Sequence, residues 1–262
     1  MSTLREVVDG IAHERPLAIA VSGGVDSLTL MAFAHRRHPQ RVRAFHAISP
    51  AVPHASTQRV QDLARAHGWD LTVIDAGETN DPAYLKNPVD RCFICKSHLY
   101  DAIAQATDAQ IVSGTNANDM VDFRPGLDAA RARGVRHPFV EAGVHKRGVR
   151  ALAQQLGLGD IATLPAQPCL SSRVETGIAI DAAKLSMVNT VEDAVRTLLG
   201  PSTVVRCRVR KSGVVVEIDE QLLANTDERV YSSVLEVARR ATGDMMVTCE
   251  PYRMGSAFLR VL

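Results

Sequence analysis

The chain has 262 residues, 46% of them apolar, enough to bury a large core in one long domain or two unequal ones. Thirty Lys and Arg against twenty-nine Asp and Glu leave a formal charge of +1, so no global field holds a polyanion by counterion release. A nucleic-acid substrate is therefore disfavoured. The absence of a long apolar run, and of an apolar leader within Met1 to Arg15, leaves a cytoplasmic protein with no membrane partner as the expectation.

Leu4, Val7, Val8 and Ile11 recur at helical spacing, and Leu17 to Val21 is a short apolar run ending at paired glycines, as a buried strand does. From Ser27 the pattern turns helical. Val42 to Ile48 and Leu71 to Ile74 read as strands, separated by a helix capped by Ser56 and stopped by Gly68. Lys96 to Ala106 is a further helix, Ile111 to Ser113 a strand before Gly114, and Pro138 to Glu141 a candidate fifth strand. A helix carrying Val149, Leu152, Ala153 and Leu156 ends at Gly157, and Leu164 to Gly177 is loop-like. The alternation of strand and helix predicts an α/β domain with a parallel sheet over residues 1–176. Beyond it come a helix (Ala182 to Leu199), two strands (Val204 to Arg210 and Val214 to Asp219), a helix (Tyr231 to Ala241) and a strand (Met245 to Cys249). This order predicts a smaller α+β domain over 177–262 that serves substrate binding or oligomerisation.

Ser22-Gly23-Gly24-Val25-Asp26-Ser27 lies between an apolar strand and an amphipathic helix, so backbone N–H groups and a helix N-terminus converge on one small space. The glycines let a ligand approach the backbone, the serines add hydroxyls, and Asp26 is placed to hold a Mg²⁺ that bridges phosphates. The plain alternative is a tight turn with Asp26 or Ser27 capping a helix. The ordering of strand, loop and helix favours the anion site. These residues resemble the pyrophosphatase loop of the N-type ATP pyrophosphatases, a superfamily that includes NAD and GMP synthetases and several thiolation enzymes. The resemblance implies ATP cleavage to AMP and pyrophosphate. Gly114-Thr115-Asn116, with Asn118 and Asp119, is similar to the nucleotide-facing segment at the next strand end of such enzymes. A polar turn is the alternative there. Ser49, just past the second strand, joins the nucleotide-binding candidates.

Five cysteines is an odd number, and in a reducing compartment metal or catalytic use outranks a disulfide framework. Cys92 and Cys95 form a Cys-x-x-Cys just before a helix, and Cys169 lies in the Pro168 to Arg173 loop. Three thiolates leave one position open on a zinc ion or on one iron of a [4Fe-4S] cluster. His98 would close a structural zinc site instead, and a lone Cys-x-x-Cys also serves as a redox pair.

Asp122-Phe123-Arg124-Pro125-Gly126-Leu127, Val149 to Ala153, Cys169 to Arg173 and Tyr252-Arg253-Met254-Gly255-Ser256 resemble the LarE-type ATP-dependent sulfur transferases over nearly the whole chain. That family adenylates a carboxylate of a pyridinium mononucleotide and converts it to a thiocarboxylate on the way to a nickel-pincer cofactor. Some members sacrifice a cysteine sulfur, and others hold a [4Fe-4S] cluster on three cysteines. Cys92, Cys95 and Cys169 resemble the second kind, with Cys169 and Asp26 as catalytic candidates and zinc ranked behind the cluster. The resemblance further implies that Arg206 and Arg208 bind a substrate phosphate, with Arg124, Arg173 and Arg253 as additional substrate contacts, and that the chain is a homo-oligomer. The chain departs from the family pattern at Ser49 to Gln58 and at Val174 to Gly177, which bears on the substrate rather than on the ATP chemistry.

In Val205-Arg206-Cys207-Arg208-Val209-Arg210 the period of two puts apolar residues on one strand face and arginines on the other, so Cys207 is expected in the core and the arginines are either solvated or engaged by an anion. Cys249 carries the same expectation of burial. Rival functions are an amide-forming synthetase, which needs none of the three cysteines, a tRNA thiolase, disfavoured by the near-neutral charge, and a sensor that binds ATP or metal without turnover. The acceptor's identity and the sulfide source are left open.

Overall fold

The computed structural model describes residues 3–120, 125–166, 168–200, 203–225, 227–253 and 256. Helix α1 (Leu4–Glu14) opens on a capping box, in which Thr3 accepts from the Glu6 amide while the Glu6 carboxylate accepts from that of Thr3. It leads into β1 (Leu17–Ala20), α2 (Val25–Arg37), β2 (Val42–Ile48), α3 (His54–His67) and β3 (Asp70–Asp75). After α4 (Pro82–Leu85) come α5 (Arg91–Ala106), β4 (Gln110–Ser113), α6 (Pro125–Ala132), α7 (Pro138–Glu141), α8 (Lys146–Gln155) and α9 (Gly159–Ala162). The remainder is α10 (Ala182–Leu199), β5 (Val205–Arg210), β6 (Gly213–Ile218), α11 (Glu220–Asn225), α12 (Glu228–Thr242) and β7 (Val247–Pro251). No helix among the described residues is long and apolar enough to cross a membrane.

Two compact units divide the chain, one of residues 1–78 and 90–166, the other of 79–89 and 167–262. In the first, four strands pair in parallel in the order β3-β2-β1-β4. Successive residues of β1 face opposite sides of the sheet. Leu17 and Ile19 join Val8, Ile11, Leu28, Met31 and Val149 in one core, while Ala18 and Ala20 join Phe45, Leu99, Tyr100 and Ile103 in another. Both faces are therefore covered by helices, which is why β1 is apolar throughout, as the α/β expectation requires. The second unit has a three-stranded sheet in which β6 pairs antiparallel with β5 and parallel with β7, with α10 and α12 packed against it.

Three sequence expectations need correction. Pro138–Glu141 forms helix α7 rather than a fifth strand, because Pro138 sits in its first turn, where the missing N–H costs nothing. The strand pairing there is a single parallel bridge between Val112 and Arg136, two residues before the expected strand. Helix α3 begins at His54 after Pro53, so Ser56 is a buried helical residue rather than the cap; Gly68 does end it in the left-handed conformation. Helix α5 begins at Arg91, which places Cys92 and Cys95 inside its first turns instead of before it.

Candidate functional site

The order β3-β2-β1-β4 reverses between β1 and β4, since the chain leaves β1 toward β2 on one side and returns to β4 on the other. Loops at the carboxyl ends of two such strands diverge and leave a crevice. Ser22 to Ser27 follow β1 and Gly114 to Asp119 follow β4, so the two polar motifs of the sequence meet at this point.

The β1 loop is shaped by its own hydroxyls and glycines. Ser27 Oγ accepts from the Ser22 N–H at 3.0 Å, lies 3.2 Å from Ser22 Oγ and donates to the Gly24 carbonyl at 3.3 Å. Gly23 has φ of 82°, and a Cβ there would lie 2.8 Å from the Ser56 carbonyl oxygen. Gly24 stands at the N-cap of α2 with no side chain capping it, so the first-turn amides of α2 are left to other acceptors. Gly114 touches the same turn from the β4 side. A Cβ on it would sit 2.6 Å from the Ser27 nitrogen.

Asp26 is held on both carboxylate oxygens: Asn116 Nδ2 donates to Oδ1 at 3.1 Å, and Lys146 Nζ donates to Oδ2 at 2.5 Å. Asn116 is 1% exposed, and its Oδ1 accepts from the Asn118 amide at 3.0 Å. Asn118 Oδ1 in turn accepts from the Lys146 amide at 2.8 Å, capping α8 from another loop, because His145 at the N-cap makes no side-chain bond of its own. The ring closes through the Lys146 side chain. Asp119 Oδ2 accepts from the Asn116 amide at 3.0 Å, which folds the β4 loop over. Each Asp26 oxygen retains a lone pair for a cation, so the carboxylate fits a Mg²⁺ brought in with a nucleotide. Lys146 did not figure in the sequence reading. Its only signal is a lysine at the start of an amphipathic helix in His145-Lys146-Arg147, and its link to Asp26 spans 120 positions.

Ser49, beyond β2, turns inward on itself, its Oγ accepting from the Ala51 amide at 3.2 Å. Cys92 and Cys95 are half-buried cysteines outside any disulfide, one helical turn apart on α5, where Gly126 of α6 lies close to the Cys92 carbonyl and the Lys96 side chain. Cys169 is a half-buried free thiol in the second unit, and its carbonyl accepts from Ser172 Oγ at 2.7 Å. Among the described residues no three His, Cys, Asp or Glu side chains are gathered so as to hold a metal ion.

In the second unit the arginines are engaged rather than solvated. Arg173 is 1% exposed, paired with Glu192 at 2.8 Å, and donates to the carbonyls of Pro168 and Cys169. Arg208 pairs with the buried Glu217 at 2.9 Å and donates to the carbonyls of Ser172 and Arg253. Arg206, also buried, lies 5.6 Å from the centre of the Tyr252 ring, and burial together with the Arg173 charge pulls its pKa down to about 10. The solvated-face alternative is therefore overturned for Arg206 and Arg208. The period of two predicts which face they share, not that a second layer covers it. Cys207, on the opposite face, is fully buried and its thiol pushed well up by desolvation; Cys249 is only half-buried, short of the core position expected for it, and partial burial raises it to about 11. Arg253 is exposed, and Arg124 lies outside the described residues.

A family model described as asparagine synthase matches residues 2–101. An uncharacterised protein of Synechocystis is 37% identical over 184 residues, covering 69% of this chain and 68% of the relative. The pyridinium-3,5-bisthiocarboxylic acid mononucleotide synthase of Lactiplantibacillus plantarum is 30% identical over 209 residues, 78% of this chain and 75% of that protein. The chain belongs to the LarE-like family of PP-loop proteins. As a family member it carries an ATP-utilising PP-loop domain. An uncharacterised protein of Methanocaldococcus jannaschii is 25% identical over 219 residues, 82% of each chain.

Proposed function

We propose that the chain binds Mg·ATP on the Ser22 to Ser27 loop, transfers AMP to the carboxylate of a small-molecule acceptor, and then exchanges AMP for sulfur to leave a thiocarboxylate. In the first step a carboxylate oxygen attacks the α-phosphorus and pyrophosphate leaves. In the second a sulfur nucleophile attacks the acyl carbon and AMP leaves with the electron pair of the broken C–O bond. The observation that carries this reading is the ring joining Asp26, Asn116, Asn118 and Lys146, which gathers an acid, a cation and the free end of α2 at the switch point of the sheet. Loop amides and Lys146 suit the negative charge of the leaving pyrophosphate, and Asp26 the accompanying Mg²⁺. The name of the Lactiplantibacillus plantarum relative supports a pyridinium mononucleotide as the acceptor, with Arg124 and the exposed Arg253 as cationic groups for its phosphate and carboxylates; Arg173, Arg206 and Arg208 are buried and bonded within the second unit.

Sulfur delivery is assigned to Cys92, Cys95 and Cys169. A [4Fe-4S] cluster on these thiolates would supply the sulfide; a cysteine thiolate acting alone gives a thioester, from which the thiocarboxylate leaves when the Cα proton is lost and the cysteine Cβ–S bond breaks, converting that cysteine to dehydroalanine. Replacing Asp26 by Ala is expected to lower ATP-dependent pyrophosphate release by roughly a hundredfold or more. Unchanged release would remove the loop from the mechanism. The asparagine synthase match favours a second reading, an amide-forming synthetase, but it covers only residues 2–101 and so bears on ATP use rather than on the acceptor. Mass analysis of the acceptor after turnover separates the two: sulfur for oxygen in one, nitrogen for oxygen in the other.

A further inference from the structure

His46 lies on β2 and is 1% exposed, amid apolar neighbours of the central sheet. A buried histidine is ordinarily a packed residue with satisfied nitrogens, and this one is satisfied in an informative way. Its Nδ1 lies 2.7 Å from the Val21 carbonyl oxygen, and its Nε2 lies 3.0 Å from Thr57 Oγ1 on α3. A carbonyl only accepts, so Nδ1 carries the proton and Nε2 accepts from the threonine hydroxyl. Burial lowers the imidazole pKa, which keeps this neutral tautomer in place.

Val21 is the residue immediately before the phosphate loop. In a trans peptide the C=O and the following N–H point in opposite directions. Turning the Val21 carbonyl toward His46 therefore turns the Ser22 N–H the other way, where it meets Ser27 Oγ at 3.0 Å. Two residues on, Arg59 of α3 repeats the device. Its Nη1 donates to the Gly23 carbonyl at 2.8 Å, which turns the Gly24 N–H away from α3. Between the two contacts, Ser56 presses against Gly23 so closely that no side chain fits. The loop's own hydroxyls hold the Ser22 amide and the Gly24 carbonyl, and across its two adjacent glycines the Val21 and Gly23 carbonyls are held from outside.

We propose that His46, with Arg59, is a positioning residue for the phosphate loop, holding its carbonyls toward α3 so that the alternate amides and the Ser27 hydroxyl keep the geometry that receives the ATP phosphates. The proposal rests on the reading of Ser22 to Ser27 as the ATP site. It concerns residues outside the motif, which no comparison with the loop sequence alone would select.

The test is pyrophosphate release by the full chain against Mg·ATP concentration, with the thermal midpoint of each variant measured alongside. His46→Leu removes both contacts. His46→Gln retains an amide only near the Nε2 position, whereas His46→Asn retains a donor near Nδ1. The loss of one orienting hydrogen bond is expected to raise KM for ATP about tenfold in His46→Leu and His46→Gln, with His46→Asn recovering to within about threefold of the wild type. A change confined to kcat, or equal KM values for all three variants and wild type, overturns the proposal. Should His46→Leu fail to fold, the Asn and Gln variants decide: a tenfold gap supports the proposal and equal values overturn it. Arg59→Leu is expected to raise KM in the same direction. If Asp26→Ala leaves release unchanged, the ATP-site reading falls and takes the proposal with it; if Asp26→Ala abolishes release while the His46 variants match wild type, the proposal alone falls.

Discussion

At the scale of single residues, Lys146 and Gly114 decide how the site is built. The Lys146 ammonium is the one cation seen bound to Asp26 among the described residues, and its backbone amide is tied to Asn118. Removing the charge with Lys146→Met is expected to raise KM for ATP by roughly ten- to hundredfold, the cost of a charge-assisted contact. A titration of pyrophosphate release against ATP measures it, and an unchanged KM would mean that Lys146 serves only α8. Gly114 works by absence, since a Cβ there would lie 2.6 Å from the Ser27 nitrogen and 2.7 Å from the Asp26 carbonyl carbon. Both are backbone atoms that have no side-chain freedom to yield. Gly114→Ala is accordingly expected to destabilise the fold by about 1–3 kcal/mol, through overpacking, and to displace the loop. Denaturant unfolding reads the first effect, and a raised KM for ATP reads the second. The loop itself was legible because glycines and serines between a strand and a helix form a local pattern. Lys146 was not, because a lysine in the first turn of an amphipathic helix looks like any solvated cation until its partner is known.

Among the elements, α1 and α2 are joined by a polar staple rather than by packing alone. Asp9 accepts from Arg37 at 2.7 Å and 2.5 Å and lies 2.7 Å from His38 Nε2. The hydrogen bond from Arg37, aided by His38, holds its carboxyl well below the usual carboxylate range. A carboxylate whose folded pKa is depressed stabilises the fold above its unfolded pKa, and that contribution is lost as pH falls from the ordinary carboxylate range toward the folded value. Wild type is therefore expected to outlast Asp9→Asn in urea near neutrality, with the gap narrowing as the pH is lowered below about 4. A gap that stays constant with pH would show that the staple is not electrostatic. In the second unit, α10 supplies Glu192 to Arg173, to Arg196 and to the Cys207 amide. Burial works against its charge, but the guanidiniums of Arg173, Arg196 and Arg206 hold its carboxyl below the ordinary range. Helix spacing alone predicted α10 over its full length, yet the acidic residue on its buried stripe carries no local sign that it neutralises an arginine nineteen positions earlier.

For the whole molecule, the chain carries a formal charge of +1 and divides into two compact units. Protein purified without oxygen is expected to contain about four irons and four sulfides per chain if Cys92, Cys95 and Cys169 hold a cluster, and Cys169→Ala to lose that iron. Stoichiometric zinc, or iron retained in full by the variant, would assign the thiols differently. What the sequence determined by itself is everything that depends on neighbours along the chain: the apolar β1, the glycine loop after it, the amphipathic helices and the alternation that makes a parallel sheet. Period and turn chemistry act over a few residues, so one chain suffices to read them. Only the tertiary structure decided that β4 lies against β1, that Asp26 meets Asn116 and Lys146 there, that His46 and Arg59 grip the loop from β2 and α3, and that Arg173, Arg206 and Arg208 are buried. These are contacts between residues far apart in sequence, chosen by which faces become covered when the sheets and helices pack, and no local pattern of residue types encodes that choice.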